Sequence, residues 1–272
     1  TNSIYLGDRY TSNDYINANL NTYKDASRIY ADFKDELGTT EEYNGRQIFE
    51  LLQNAEDEKA DAIEFDLNTK EHILIVSNRG KPFSSSGIHS LMIAHLSSKD
   101  KINYIGNKGL GFRSILNWAE SVSIESNNCR ITFSEKIAAE YLNTKLKQTI
   151  PELNQFKTKD HYSDDVIPIP VLSLPIIEDS SSNSEWATRI YIKYRSSFQN
   201  DIVAQLENFS DKVLLFLTNI KNIKYLKDSI VIKDIHSEGS TENSVVNHIR
   251  LGDKEWTIFS LENPLPEEYQ DK

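Results

Sequence analysis

Basic residues are scarce in this chain relative to acidic ones. Lys and Arg together number 30 against 41 Asp and Glu, and the formal net charge at pH 7 is −11 over 272 residues. A broadly anionic surface repels phosphate backbones, so we do not expect nucleic acid as a partner. No stretch approaches the roughly 20 consecutive apolar residues of a transmembrane helix, so the sequence predicts no membrane span.

Sulfur-containing residues are nearly absent, with one cysteine and one methionine. Because Cys129 has no second cysteine to pair with, an internal disulfide is excluded, and we expect the reducing environment of the cytoplasm. The methionine is Met92 and the chain does not begin with one, so we expect a segment of a longer protein. The six histidines show no metal-ligand spacing, which argues against a zinc site.

Apolar periodicity predicts helices and strands that alternate along the chain, with no internal repeat. We predict helices at 21–38 (ended by Gly38), 45–58 and 202–220, with another through residues 114–116, and strands at 61–67, 72–77 and 187–194. We predict a hairpin at residues 119–134 with its turn at Asn127-Asn128. We predict mostly long loops at 143–185 and three short strands after residue 227. Several strands follow one another directly, which favours an α+β fold with a mixed, mostly antiparallel sheet and helices on one face.

The second predicted helix has a polar face. Arg46, Glu50, Asn54 and Asp57 are spaced by 4, 4 and 3 residues, which places all four on one side. One interpretation is a solvated surface stripe. The other is a nucleotide site, in which Glu50 polarises a water molecule and Asn54 supplies an oxygen to Mg²⁺.

Glycine is sparse, with ten residues in all, yet Gly106, Gly109 and Gly111 fall within six positions just before a predicted helix. Bare backbone N–H groups beside a helix N-terminus suit a polyphosphate, although a tight loop without a ligand has the same composition. The loop is not a P-loop, because no Gly-Lys-Ser/Thr follows at the required spacing. It is not a Rossmann fingerprint either, because a polar segment precedes it instead of an apolar strand.

A third polar element, Asn78-Arg79-Gly80, directly follows the apolar strand at 72–77. A side-chain oxygen at a strand end can accept the amino proton of adenine, while a glycine lets the base approach. The alternative is a plain turn.

Taken in order, the segments ELLQNAED (50–57), NRGKPF (78–83) and IGNKGLGFRS (105–114) resemble the N-box and the two glycine boxes of GHKL ATPases, which share the Bergerat fold. The likeness is to the branch of the ninety-kilodalton heat-shock chaperone and the sacsin-like ATPases. WATRIYIKYR (186–195) resembles the late strand of that family, and the resemblance runs from Tyr23 to Leu226. It implies a two-layer α/β sandwich with an ATP lid over residues 84–105, which include Ser97, Ser98 and Lys99.

The resemblance also implies roles for individual residues. Glu50 matches the catalytic base and Asn54 the magnesium ligand. Further nucleotide contacts implied by position are Asp57, Asn78, Gly80, Lys99, Gly106, Asn107, Lys108, Gly109, Leu110, Gly111, Phe112 and Thr188. Two positions depart from the family pattern: Asn78 stands where an aspartate is usual, which removes a charge from the adenine site, and Ala187 stands where a glycine precedes the threonine.

The function implied is Mg²⁺-dependent ATP hydrolysis that drives lid closure and conformational change or self-association in a larger protein, chaperone-like or part of bacterial antiviral defence. A nucleotide-gated binding module with little hydrolysis and a histidine-kinase-type phosphotransfer domain are the alternatives. Residues 1–227 are expected to form the ATP-binding domain and 228–272 a β-rich extension.

Overall fold

Ten β-strands form the framework of the protein in its computed structural model, which describes residues 17, 20–21, 23–42, 44–82, 111–155, 169–180, 185–241 and 246–259. The strands are β1 (Ala62–Asn68), β2 (Ile73–Asn78), β3 (Ala119–Ser126), β4 (Cys129–Ser134), β5 (Ile176–Asp179), β6 (Thr188–Tyr194), β7 (Asn222–Lys227), β8 (Ile230–Thr241), β9 (Val246–Leu251) and β10 (Lys254–Phe259). Their order is β10-β9-β8-β7-β1-β2-β6-β3-β4-β5. Only β1 and β7 pair in parallel, so the predicted mixed, mostly antiparallel sheet of an α+β fold is confirmed.

One face of the sheet is apolar because the strands alternate in hydrophobicity. Ile63, Phe65 and Leu67 of β1 lie on this face and are at most 1% exposed. Leu74 and Val76 of β2 stand opposite Leu67 and Phe65 in the antiparallel register, and are equally buried. Side chains two residues apart in a strand share a face, so this surface needs helices to cover it.

The helices supply that cover. They are α1 (Ala26–Glu42), α2 (Gln47–Asp57), α3 (Glu135–Tyr141), α4 (Lys147–Thr149) and α5 (Gln199–Asn208). A π-helical turn, Leu142–Leu146, joins α3 to α4, and 3₁₀ turns span Gly111–Asn117, Pro151–Gln155, Ser196–Phe198 and Asp211–Leu215. Buried residues of α1, α2 and α5, such as Ile29, Leu51 and Leu206, belong to the same hydrophobic core as the apolar sheet face.

The opposite face of the sheet is polar and carries ion pairs between neighbouring strands. Lys224 Nζ lies 3.5 Å from Glu64 Oε2, and Arg130 Nη1 lies 3.0 Å from Glu125 Oε1. The Tyr191 hydroxyl donates to Glu125 Oε2 at 3.0 Å. The sheet therefore separates an apolar, helix-covered side from a charged side, and the candidate site lies at the helix-covered side.

The prediction that Gly38 ends the first helix is wrong, because α1 continues to Glu42. Glycine inside a helix costs only about 1 kcal/mol relative to alanine. The next turn is held by buried Thr40, whose hydroxyl lies 2.8 Å from the Glu36 carbonyl oxygen and 3.3 Å from that of Arg113. This tertiary contact outweighs the local preference of one glycine.

The single helix predicted over 202–220 is also wrong, because α5 ends at Asn208. Phe209 takes an extended conformation (φ −67°, ψ 137°), and the Ser210 hydroxyl then caps the following 3₁₀ turn by accepting from Lys212 N at 3.3 Å. Serine at a helix start competes with helix continuation in this way. The sequence analysis also missed α3, which the hydroxyl of Ser134 caps by accepting from Ile137 N at 3.1 Å.

The hairpin at 119–134 is confirmed, with its turn at Asn127 and Asn128. Their φ angles of 55° and 67° lie in the left-handed region that a type I′ turn requires and that asparagine tolerates. The three strands expected after 227 are also present as β8, β9 and β10, and β8 pairs with both β7 and β9. Among the described residues, no helix has the length and apolar character needed to cross a bilayer.

Candidate nucleotide-binding site

Helix α2 carries the polar face that the sequence analysis singled out. Its other face is buried in the core through Ile48, Leu51, Leu52 and Ala55. Glu50 is only 8% exposed, Asn54 is half-buried and Asp57 is exposed. Arg46 Nη2 lies 3.6 Å from Glu50 Oε1, one turn earlier in the chain. The helix thus shelters the carboxylate of Glu50 and the amide of Asn54, while Asp57 faces solvent.

A buried amide network fixes the first turn of α2. The side chain of Gln47 is fully buried and donates to Asn44 Oδ1 at 2.9 Å and to the Ser114 carbonyl oxygen at 3.4 Å. Its own oxygen accepts from Gln205 Nε2 on α5 at 2.9 Å. Because a buried amide is costly unless paired, these bonds favour one placement of α2 against α5 and the turn after the glycine loop.

Glu56 fixes the last turn of α2 from the opposite side of the helix. Its carboxylate accepts from the backbone N–H groups of Thr218, Asn219 and Ile220 at 2.8, 2.8 and 3.0 Å, and from Asn219 Nδ2 at 2.8 Å. Burial raises the pKa of Glu56, but the hydrogen bonds donated by Ile220 and Asn219 outweigh that effect and hold the pKa below its ordinary value. The ionised form of Glu56 therefore ties α2 to the loop that enters β7.

The end of α2 meets the segment that follows β2 at Gly80. The Lys81 N–H donates to the Glu58 carbonyl oxygen at 2.7 Å. A Cβ atom on Gly80 would lie 2.6 Å from that oxygen and 3.0 Å from Ala60 N, both backbone atoms that cannot turn away. Glycine at this position is thus required for packing against α2, in addition to the access for a base that the sequence suggested.

Three polar side chains stand in a row across the ends of β2, β6 and β3. Asn78 is paired with Thr188, and Thr188 with Ser126, so all three project from the helix-covered face. They are 7%, 1% and 7% exposed. The backbone around them is tied as well, since Ala187 N donates to the Asn78 carbonyl oxygen at 2.9 Å. We call Asn78, Thr188 and Ser126 the strand-end row.

A cleft of about 220 Å³ opens at the same end of the sheet. Ser126, Asn128, Trp186, Ala187 and Arg189 are among the residues that line it. The Arg79 guanidinium lies 5.2 Å from the centre of the Trp186 ring, which fixes that ring as one wall. Pockets for small molecules usually enclose about 300–1,000 Å³, so this cleft is smaller than such a pocket.

The second glycine box lies mostly outside the described residues, and so does the expected lid, 84–105. Of the predicted contacts, this applies to Lys99, Gly106, Asn107, Lys108, Gly109 and Leu110. Gly111 begins the 3₁₀ turn Gly111–Asn117, in which Phe112 is 2% exposed. This turn is the helix expected around residues 114–116, and it anchors the end of the box in the core.

Arg113, in the same turn, is 1% exposed. Burial lowers the pKa of its guanidinium, while the nearby charges of Glu36 and Asp35 act in the opposite direction. Glu36 is itself buried and accepts from Val171 N at 2.7 Å and from Leu172 N at 3.0 Å. A buried polar cluster therefore joins α1 to the end of the second glycine box.

Helix α2, Asn78, Gly80 and Thr188 were predicted from the sequence as parts of the site, but the residues that hold them in place were not. Ser126, Gln47 and Glu56 each bond to a partner far away in the chain, and no local pattern marks such a residue. Within the described residues, no group of three or more His, Cys, Asp or Glu side chains is arranged to hold a metal ion. The roles assigned to individual site residues stay predictions.

No protein-family model and no curated protein matches this sequence. Among solved structures, the chain is similar to the ATPase region of topoisomerase II from Saccharomyces cerevisiae, with 14% sequence identity and a TM-score of 0.42. The match covers 75% of this chain and 57% of that ATPase region.

Proposed function

We propose that this chain binds ATP together with Mg²⁺ and hydrolyses the nucleotide. The proposal is supported chiefly by the junction between α2 and the segment after β2. Twenty residues separate the ELLQNAED and NRGKPF motifs in sequence, and the second motif contacts the residue that directly follows the first: Lys81 N donates to the Glu58 carbonyl oxygen, against which Gly80 also packs. This junction puts a helix bearing a sheltered carboxylate and amide next to a strand end bearing Asn78.

Glu50 is proposed as the general base for the attacking water. A carboxylate that is 8% exposed has few water molecules around it, and its placement on a helix whose two ends are fixed limits its motion. Arg46, on the preceding turn, is the neighbouring positive charge. The role of Glu50 is to orient one water molecule and to accept its proton.

Asn54 is proposed as the protein ligand of Mg²⁺. An amide oxygen is a ligand that Mg²⁺ accepts, and this metal commonly binds through one protein group and the phosphates of its substrate. Asn54 is half-buried one turn beyond Glu50, and Asp57 follows on the exposed part of the same face. Bound Mg²⁺ would supply charge neutralisation at the phosphates.

The strand-end row is proposed to hold the adenine ring, with Asn78 and Thr188 as its contacts. We further propose that residues 1–227 form the nucleotide-binding domain, that lid closure over bound ATP drives conformational change or self-association, and that the whole protein is a chaperone-like or antiviral machine. These last steps rest on the resemblance of the ordered motifs to GHKL ATPases.

Titration calorimetry with ATP, GTP and CTP in the presence of Mg²⁺ tests the binding site. We expect ATP to bind more tightly than the other two, and binding to weaken when the metal is chelated. Bound nucleotide should also raise the melting temperature by mass action. Absence of binding, or equal binding of all three, would contradict the adenine site.

A further inference from the structure

The hydrogen bonds of Ser126 indicate how the hydroxyl protons of the strand-end row are arranged. Ser126 Oγ donates to the Ala187 carbonyl oxygen at 2.8 Å, and a serine hydroxyl has a single proton. Thr188 Oγ1 lies 3.0 Å from Ser126 Oγ, and with the Ser126 proton on the Ala187 carbonyl, the proton between these two oxygens belongs to Thr188. With its proton directed at Ser126, Thr188 presents only lone pairs to any other neighbour.

The amide of Asn78 also has a fixed orientation. One of its terminal atoms lies 3.2 Å from Gly80 N, and because a backbone N–H can only donate, this atom must be the oxygen Oδ1. Rotating the amide by half a turn would place two donors against each other. The other terminal atom, Nδ2, is therefore a hydrogen-bond donor on the remaining side of the group.

Asn78 and Thr188 stand directly opposite each other on β2 and β6. The row consequently offers a donor, Nδ2, beside an acceptor, Thr188 Oγ1, at the end of the sheet. Adenine carries the complementary pair on its Watson–Crick edge, with N1 as acceptor and the 6-amino group as donor. In hypoxanthine and guanine the same edge carries N1–H, a donor, and O6, an acceptor. Asn78 Nδ2 would then face the donor N1–H, and Thr188 Oγ1 would face the acceptor O6.

We propose that Ser126 is a specificity-determining positioning residue: by accepting the Thr188 proton, it makes the strand-end row select 6-amino purines over 6-keto purines. This inference deepens the proposed function and rests on it. The selection requires that the Thr188 hydroxyl contact the base directly, because a bridging water can serve either a 6-amino or a 6-keto group. Asn78 then contacts the base through its donor Nδ2, and not through its oxygen as expected from the sequence, because Oδ1 accepts from Gly80 N.

The test compares ATP with ITP, whose bases differ at the two positions that the row contacts. Calorimetry on the 272-residue chain with Mg²⁺ gives the ratio of the two dissociation constants. Mispairing at buried polar groups costs roughly 1–3 kcal/mol, so we expect wild type to prefer ATP by about tenfold or more. In Ser126→Ala the Thr188 hydroxyl has lost its acceptor on Ser126 and is released to donate to O6. The ratio should fall by about threefold or more, in part because ITP binds more tightly.

Two further serine variants and one threonine variant make the result specific. Ser123→Ala removes an equivalent hydroxyl from the same strand, where Ser123 Oγ pairs with Thr132 Oγ1 at 2.9 Å on the other face, and should leave the ratio unchanged. Ser126→Thr keeps the hydroxyl and should keep the ratio. Thr188→Val removes the acceptor; it should lower the affinity for ATP and leave the affinity for ITP within about twofold of wild type. Should Ser126→Ala fail to fold, Thr188→Val carries the test, and equal loss of both nucleotides would then overturn the proposal.

Each outcome separates this inference from the proposed function. Equal affinity of wild type for ATP and ITP, or an unchanged ratio in Ser126→Ala, overturns the role of Ser126 and leaves nucleotide binding in place. The role of Ser126 is also overturned if Ser123→Ala lowers the preference for ATP over ITP as much as Ser126→Ala does. If wild type binds neither nucleotide, the proposed function fails and the inference fails with it.

Discussion

Glu56 offers the sharpest test of how helix α2 is held in place. Its carboxylate accepts three backbone N–H groups and one side-chain amide from residues 218–220. Glu56→Gln keeps one side-chain oxygen and removes the negative charge. It replaces the other oxygen by an NH₂ group, a donor, which then faces the backbone N–H donors of residues 218–220. Hydrogen bonds to a charged group contribute about 1.5–3 kcal/mol each, and partial exposure places this site at the low end. We expect the free energy of unfolding to fall by about 1–3 kcal/mol in total.

Urea denaturation at pH 7 measures this change. With a urea dependence of about 3 kcal/mol/M, at the upper end of the usual range for a chain of this size, the midpoint should fall by roughly 0.3–1 M while the slope stays constant. Glu41→Gln is the matched control, because it removes the same charge from an exposed position on α1. A midpoint shift no larger than that of Glu41→Gln would refute the reasoning.

The pH dependence gives a second, independent criterion. The pKa of Glu56 is lower in the folded protein than its ordinary value, so its contribution is fully present above the unfolded-state pKa of about 4.3 and is lost as the pH falls through the folded value. Wild type and Glu56→Gln should therefore differ at pH 6–7, and the difference should shrink as the pH falls below the unfolded-state pKa and through the lower folded value. A difference that stays constant as the pH falls through this range would mean that the charge of Glu56 is not what holds the 218–220 loop.

The remaining predictions concern the site itself. Glu50→Ala should leave the affinity for ATP near that of wild type and lower the turnover rate by roughly 10²-fold or more. Asn54→Ala should instead weaken the binding of Mg²⁺-ATP. If the Glu50→Ala variant of the intact protein hydrolysed ATP at the wild-type rate, Glu50 would not be the base, and a gated binding module would be favoured. Gly80→Ala should lower the free energy of unfolding by about 1–3 kcal/mol, because the new Cβ would lie 2.6 Å from a backbone oxygen, and an unchanged melting temperature would contradict that contact.

Strand positions could be predicted from the sequence because a two-residue period is local and strong. The strands expected at 61–67 and 72–77 were found at Ala62–Asn68 and Ile73–Asn78, and the Asn127-Asn128 turn was found in the conformation that its residues favour. Helix ends were less predictable, because they were decided by tertiary contacts. The Thr40 hydroxyl carries α1 past a glycine, and the Ser210 cap interrupts an apolar pattern that is otherwise continuous.

The candidate site divides in the same way. The polar face of α2 followed from residue spacing alone, because positions four apart share a side of a helix. The partners that fix the site did not, since Ser126 is 62 residues from Thr188, Glu56 is 163 residues from Asn219, and Gln205 is 158 residues from Gln47. Such pairs are created by strand register and helix packing, which no sequence window contains.

The C-terminal end of helix α2 is joined to two parts of the structure, and this bears on how a nucleotide bound beside the helix would affect the rest of the chain. Glu58 contacts Gly80 and Lys81 after β2, and Glu56 holds the loop that enters β7. Strand β7 pairs in parallel with β1 on one side and antiparallel with β8 on the other. A displacement of α2 that separates Glu56 from residues 218–220 would break these charged hydrogen bonds. The start of β7, and with it β8, is therefore joined directly to the helix that carries Glu50 and Asn54.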